Sequence, residues 1–315
     1  MRLITFEDSV RRSRVGALTP DGRIVDLNSA CALYLRDVED EGAFYRLADA
    51  LVPPNMRDLF SGGNTSLEAA HKAWDHALGS DSLSGPRGEA VFYSADEVTL
   101  QAPIVPRKFF DVTGFQNVDA IVGHEEPVIY PEHLTQELDC EIALALVLKK
   151  NGKHFTPAEA ADYVGGYLIF NSIIARDIQR REVNSGASGL CKGIDTFCPL
   201  GPWIVTADEI LDPQNLAMEL RVNGEPRQNS SANRMLAKIS EILSHYSPMG
   251  YSAGDVLSTG TASFNGEGKT RYLKVGDVME CEIEGIGILR NRIISWEEAY
   301  GHKAAALATL ETLPL

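Results

Sequence analysis

The chain contains no uninterrupted run of about 18 apolar residues, so no membrane-spanning helix is expected. It has few cysteines: Cys31, Cys140, Cys191, Cys198 and Cys281. They are odd in number and scattered, with no C-x-x-C pair. That pattern argues against a disulfide framework and against a structural zinc site. The seven histidines are equally dispersed and form no H-E-x-x-H motif. Positive charge is scarce, with 29 Lys and Arg against 44 Asp and Glu and a net charge of −15. Such a surface repels phosphate backbones and anionic lipid, so neither nucleic acid nor a membrane is expected as a partner. The first residues, Met1 to Asp8, carry no apolar targeting core, and a reducing, cytoplasmic setting is the simplest expectation. Internal repeats and low-complexity tracts are absent as well.

What remains is an ordinary globular composition, 44% hydrophobic over 315 residues, enough for one large domain or two modest ones. Residues 2–27 read as short strands joined by a turn at Asp21-Gly22-Arg23. Helical patterns follow at 30–38, 43–51, 54–60 and 67–78, and Ser80–Gly88 reads as a Ser/Gly/Pro linker. Beyond about residue 105 the pattern changes to strands separated by Gly, Pro and Asp turns. Strands are expected at 142–148, 166–171, 203–206, 217–222, 256–259, 271–273, 278–283 and 287–294. Helices are expected at 157–163 and 231–245, and Asn223-Gly224 suits a hairpin turn. Without regular βα alternation, a Rossmann fold or TIM barrel is disfavoured. The expected class is α+β: a small mixed N-terminal domain over 1–104 and a mixed β-roll over 105–315.

The segment Gly165-Gly166-Tyr167-Leu168-Ile169-Phe170-Asn171-Ser172-Ile173-Ile174-Ala175-Arg176-Asp177-Ile178-Gln179 is the most informative stretch. It resembles the GY-x-x-x-ND-x-x-ARD-x-Q signature of the fumarylacetoacetate hydrolase superfamily. Further stretches resemble the same family in the same order. They are Phe109-Phe110-Asp111, Leu138-Asp139-Cys140-Glu141-Ile142-Ala143, Lys192 to Trp203, Val222-Asn223-Gly224-Glu225, Thr259-Gly260-Thr261 and Glu284-Gly285-Ile286-Gly287. Each piece alone is weak, and their number and order make the resemblance specific over roughly residues 105 to 295.

The resemblance implies a carboxylate-held Mg²⁺ or Mn²⁺ that grips a 2-oxo acid or 1,3-dicarbonyl compound. Asp111 and Glu141 match metal-ligand positions. Ala143 stands where a second glutamate belongs, and Ser172 replaces the aspartate after Asn171. The position of a water-activating histidine falls at Val118; His124 and His133 lie nearby but off the family spacing. The substrate-facing set matches at Arg176, Gln179, Lys192 and Thr261, with Ser172 beside it. Loss of two carboxylates suggests a more positive pocket, in which Arg176 and Lys192 bind a small anionic substrate directly. Relatives also suggest a homodimer.

Plainer roles compete with these. Glu141 could pair with Arg176 or Lys192, Asp111 could cap a turn, and Arg176 with Asp177 could form an ion pair holding the sheet. Ser172 could be a small polar replacement rather than a nucleophile. Cys140 and Cys191 read as buried inert thiols, and His124-Glu125-Glu126 as a solvated charged loop. Three functions stay open: hydrolysis of a C–C bond beside a carbonyl, a metal-independent isomerase, lyase or cyclase using Lys192 and Arg176, and a non-catalytic ligand-binding protein.

Overall fold

The structure, a computed structural model, describes residues 1–79, 84–112, 114–186, 189–261 and 271–301. Its first part holds strands β1 (Arg2–Glu7), β2 (Ser13–Leu18) and β3 (Ile24–Asp26) and helices α1 (Leu27–Asp37), α2 (Phe44–Leu51), α3 (Met56–Ser61) and α4 (Gly63–Leu78). Asp26 caps α1, its carboxylate accepting from Ser29 N, and also takes the Arg14 guanidinium at 2.7 Å. Part of the linker expected at Ser80–Gly88 falls outside the described residues.

Short strands follow: β4 (Phe92–Tyr93), β5 (Thr99–Gln101), β6 (Phe109–Asp111), β7 (Gly114–Phe115), β8 (Ile121–Val122) and β9 (Val128–Tyr130). The centre of the molecule is β10 (Leu138–Leu148) and β11 (Val164–Ala175), then α5 (Arg176–Ser185), α6 (Leu190–Gly193) and β12 (Cys198–Thr206). The rest comprises β13 (Ala217–Val222), β14 (Glu225–Ser231), α7 (Ile239–Tyr246), β15 (Val256–Thr261), β16 (Val278–Ile283), β17 (Gly287–Ser295) and α8 (Trp296–Tyr300). No helix among the described residues is long and apolar enough to cross a membrane.

Two mixed sheets result. The twelve-stranded one has the backbone order β4-β3-β2-β1-β12-β11-β10-β15-β6-β7, and the five-stranded one β14-β13-β16-β17-β9. The α+β class is therefore observed. Strands from before and after residue 104 share the large sheet, because β1 pairs with β12 through Arg2↔Val205 and Leu3↔Ile204. Strand alternation places Ile142, Leu144 and Leu146 of β10 in one buried cluster and Ala143, Ala145 and Val147 in another. Both faces of the central strand are covered, which explains its near-continuous apolar run.

Several sequence expectations need correction. Ser231, expected to start a helix, instead ends strand β14, which Asn223 (φ 54°) and Gly224 (φ 77°) fold back onto β13 through the expected hairpin; the helix begins at Ile239. The strand expected at 271–273 is not formed; Leu273 makes one backbone bond, to Leu138 O. Helix α5 had no apolar stripe to reveal it, since its buried residues are only Ile178 and Glu182. β10 starts four residues earlier than expected because Asp139 and Glu141 interrupt the apolar pattern.

The glycine pair of the opening signature has a packing cause. A Cβ on Gly166 would lie 2.5 Å from Ile204 Cγ2 and 2.7 Å from Val205 O on the neighbouring strand. One on Gly165 would meet the Phe60 ring at 2.6 Å. All five cysteines are free and buried. Burial pushes the Cys191 thiol up to about 12, with hydrogen bonding to Glu182 adding to it. Gly166→Ala should lower the denaturant-unfolding free energy by about 1–3 kcal/mol without changing the slope. Iodoacetamide at neutral pH should leave all five thiols of the native protein unlabelled, and label them after denaturation.

Candidate active site

A cavity of about 510 Å³ opens where β6, β10, β11, β15, α6 and α7 converge. The strand ladders fix its polar side. Glu141 of β10 stands opposite Ser172 of β11, and Ala143 stands opposite Phe170 on one side and Thr261 on the other. β6 runs parallel to β15 through Val256↔Phe109 and Leu257↔Phe110, which carries Asp111 to the same end of the sheet.

Asp111 is 4% exposed. Its Oδ2 accepts from Gln116 Nε2 at 3.2 Å and from Lys192 Nζ at 3.4 Å. Lys192 reaches it from the short helix α6, which follows the stretch containing Ala187 and Ser188, both outside the described residues. Ser172 is 5% exposed, and its Oγ, although buried in the cavity wall, has no hydrogen-bond partner among the described residues. An unmade bond of this kind costs free energy until something supplies the partner. Thr261 Oγ1 accepts from Gln228 Nε2 at 2.7 Å, while Gln228 Oε1 takes the Ile142 N–H at 3.3 Å. Gln228 thereby ties the threonine to β10.

Arg176 and Gln179 do not line this cavity. At the start of α5, Arg176 donates from Nε to Asp139 at 2.8 Å, from Nη2 to Glu141 at 2.6 Å and from Nη1 to Gln179 Oε1 at 3.0 Å. Burial works against its charge, and the hydrogen bond to Glu141 with the nearby carboxylates overcomes this and holds its pKa above the ordinary value. Asp177 does not pair with it; that carboxylate takes Thr135 Oγ1 at 2.5 Å and Gln136 N at 3.2 Å. The cavity wall carries three carboxylates, Asp111, Glu141 and Glu241, and Lys192 as its one lysine or arginine among the described residues. The surplus of positive charge suggested by the lost ligands is not present there.

The donor set does not fit a hard divalent cation. Mg²⁺ and Mn²⁺ favour several oxygen ligands. Here Ala143 offers none, Ser172 offers a neutral hydroxyl, and Asp111 and Glu141 each already face a cationic side chain. Among the described residues no group of three or more His, Cys, Asp or Glu is placed to hold a metal.

The histidines considered from sequence lie elsewhere. His124 Nδ1 accepts from Arg290 N at 3.1 Å, and the buried Asn291 pins the same loop by donating to Gly123 O and Glu126 O. His133 packs edge-on against Trp296, ring centroids 4.6 Å apart. Val118 leaves the family histidine position without a base. Sequence reading missed the opposite wall, formed by Met235, Leu236, Ala237, Glu241, Ile242, His245 and Tyr246. Tyr246 Oη donates to Val112 O at 2.8 Å and anchors α7 over the site. This contact spans 134 positions, and no local spacing announces it.

The chain resembles known proteins over most of its length. The family profile described as fumarylacetoacetate (FAA) hydrolase C-terminal matches residues 88–294. Oxaloacetate tautomerase fahd2, mitochondrial, of Xenopus laevis is 33% identical over 325 residues, covering 93% of this chain and 90% of its own. The structure of fumarylacetoacetate hydrolase from Exiguobacterium antarcticum superposes with a TM-score of 0.71 at 29% identity, over 94% of this chain and 99% of that one. Maleylpyruvate hydrolase from Sphingobium sp. SYK-6, solved in complex with manganese(II) and pyruvate, shares the fold, with a TM-score of 0.69 at 23% identity over 94% and 99% of the two chains. A matching family profile over most of the chain, together with full-length likeness to these proteins, shows that the chain belongs to the fumarylacetoacetate hydrolase superfamily.

Proposed function

We propose that this protein interconverts the keto and enol forms of a small 2-oxo acid, using its own side chains to move the proton. The observation that carries this reading is the Lys192–Asp111 pair, 3.4 Å apart in a cavity wall that also holds the unpartnered Ser172 hydroxyl. The name of the Xenopus relative, an oxaloacetate tautomerase, supports the reaction type.

The chemistry balances with those groups alone. Asp111 carboxylate takes a proton from C3 of the keto acid as the C–H electron pair forms the C2–C3 double bond. The electrons of the C2 carbonyl move onto oxygen, which takes a proton from the Lys192 ammonium. Asp111, now a carboxylic acid, returns its proton to the Lys192 amine across their contact, and the enol leaves. The reverse sequence converts enol to keto. The ammonium stabilises charge where it develops on oxygen, and its three donors let it serve Asp111 and substrate together. Ser172 Oγ gains its missing hydrogen bond from the substrate carboxylate or enol oxygen. No water is consumed, so no water-activating base at position 118 is needed.

Hydrolysis of a C–C bond beside the carbonyl is a second reading, favoured by His245 in the cavity wall, where it could activate water. One experiment separates the readings. The freshly dissolved enol form of a 2-oxo acid is followed by ultraviolet absorbance and by proton NMR, with and without EDTA. Accelerated ketonisation without cleavage, undiminished by the chelator, is the expected result. Release of two acid fragments would establish hydrolysis, and binding without any conversion would make the chain a ligand-binding protein.

Lys192→Ala and Asp111→Asn should each lower kcat/KM by about 10²–10³-fold, the usual effect of removing one charge-stabilising or proton-transferring group. Ser172→Ala should act mainly on KM, raising it about fivefold for one lost hydrogen bond. Arg176→Ala should instead lower stability by about 1–3 kcal/mol, because Asp139 and Glu141 lose their shared cation. A rise in KM with unchanged unfolding would place Arg176 at the substrate.

A further inference from the structure

The cavity is larger and less polar than a four-carbon diacid requires. At about 510 Å³ it lies within the range of sites that hold drug-sized ligands, about 300–1,000 Å³. Its polar groups are gathered where Asp111, Lys192 and Ser172 meet the sheet. The other wall, from Met235 to Ile242, is mostly apolar and includes Leu236, whose side chain is fully exposed at 102%. Among the lining residues of that stretch one carries a charge, the acid Glu241, exposed on the first turn of α7, whose carboxylate accepts from Lys238 N at 2.9 Å.

Resting on the tautomerase reading, we propose that this site selects 2-oxo acids with one carboxylate and an uncharged, largely apolar tail on C3, and discriminates against 2-oxo diacids. Lys192 engages the oxo-acid head. A tail extending from C3 enters the space bounded by Met235, Leu236, Ala237 and Ile242, where burying each CH₂ tightens binding about fourfold. A second carboxylate at that end finds no lysine or arginine among the described lining residues and meets Glu241, a like charge at the exposed edge of the cavity. Ala143 contributes to the same selectivity. Where a glutamate side chain would fill the cavity with charge, a methyl group leaves space next to Phe170.

The test compares ketonisation of the enol forms of phenylpyruvate, 2-oxohexanoate and oxaloacetate by the full-length protein and by Glu241→Gln and Leu236→Lys. Gln retains an oxygen to cap α7, and position 236 is solvent-exposed, so both variants should fold, which circular dichroism and thermal melts check. The expected result is a kcat/KM for phenylpyruvate at least tenfold above that for oxaloacetate. Glu241→Gln should narrow this gap, and Leu236→Lys should narrow it further by giving a second carboxylate a cation. Faster turnover of oxaloacetate by the unaltered protein would overturn the proposed selectivity and leave the tautomerase reading standing. So would a preference that neither substitution moves. Failure to accelerate any of the three would overturn the tautomerase reading and this inference with it.

Discussion

The guanidinium of Arg176 organises the site by what it prevents. Held between Asp139 and Glu141, it joins the start of α5 to the face of β10 and fixes both carboxylates in one orientation. Glu141 cannot turn toward a cation in the cavity without giving up a 2.6 Å charge-assisted bond. The other cation near the cavity, Lys192, is set against Asp111. Asp139 and Glu141 thus share one cation and Asp111 faces another. The chemistry proposed for the site is proton transfer between Lys192 and Asp111, groups already in contact.

This arrangement also gives different tasks to residues that the sequence groups together. Arg176 and Gln179 end one matched stretch and Lys192 opens the next, yet Lys192 lines the cavity and the other two do not. Thr261 depends in turn on Gln228, a residue from the second sheet. Most of the polar wall is thus built from strands, with Lys192 added from α6, whereas the facing wall comes from a short helix and the irregular segment before it. In the proposed mechanism the chemistry sits on the strand side, and the shape of the ligand is read by the other.

Much of the fold was legible because its causes are local. The Asn223-Gly224 turn needs left-handed backbone, and the Gly165-Gly166 pair allows the close approach of Phe60 and β12; both leave marks in the sequence. The missing ligands at Ala143 and Ser172 were equally visible, because the family signature marks those two positions. What was not legible has tertiary causes. α5 is held by ion pairs instead of an apolar stripe, so its periodicity is hidden. The pairing of Arg176 with Glu141, the pinning of His124 to β17 and the placement of α7 over Val112 join distant positions, and nothing in the spacing of those residues specifies them.

The pairing of β1 with β12 has a consequence for how the chain is made. Arg2 and Leu3 take their sheet partners from Val205 and Ile204, some two hundred residues later. During synthesis β2 and β5 can join β1 early, but the outer edge at Arg2–Leu3 stays open until β12 has left the ribosome. An open strand edge invites pairing with another chain. The exposed stretch is only two residues long in this register, which limits that hazard to a contact too short to hold a stranger. The strand that closes this edge, β12, is therefore also the one that commits the two halves of the chain to each other.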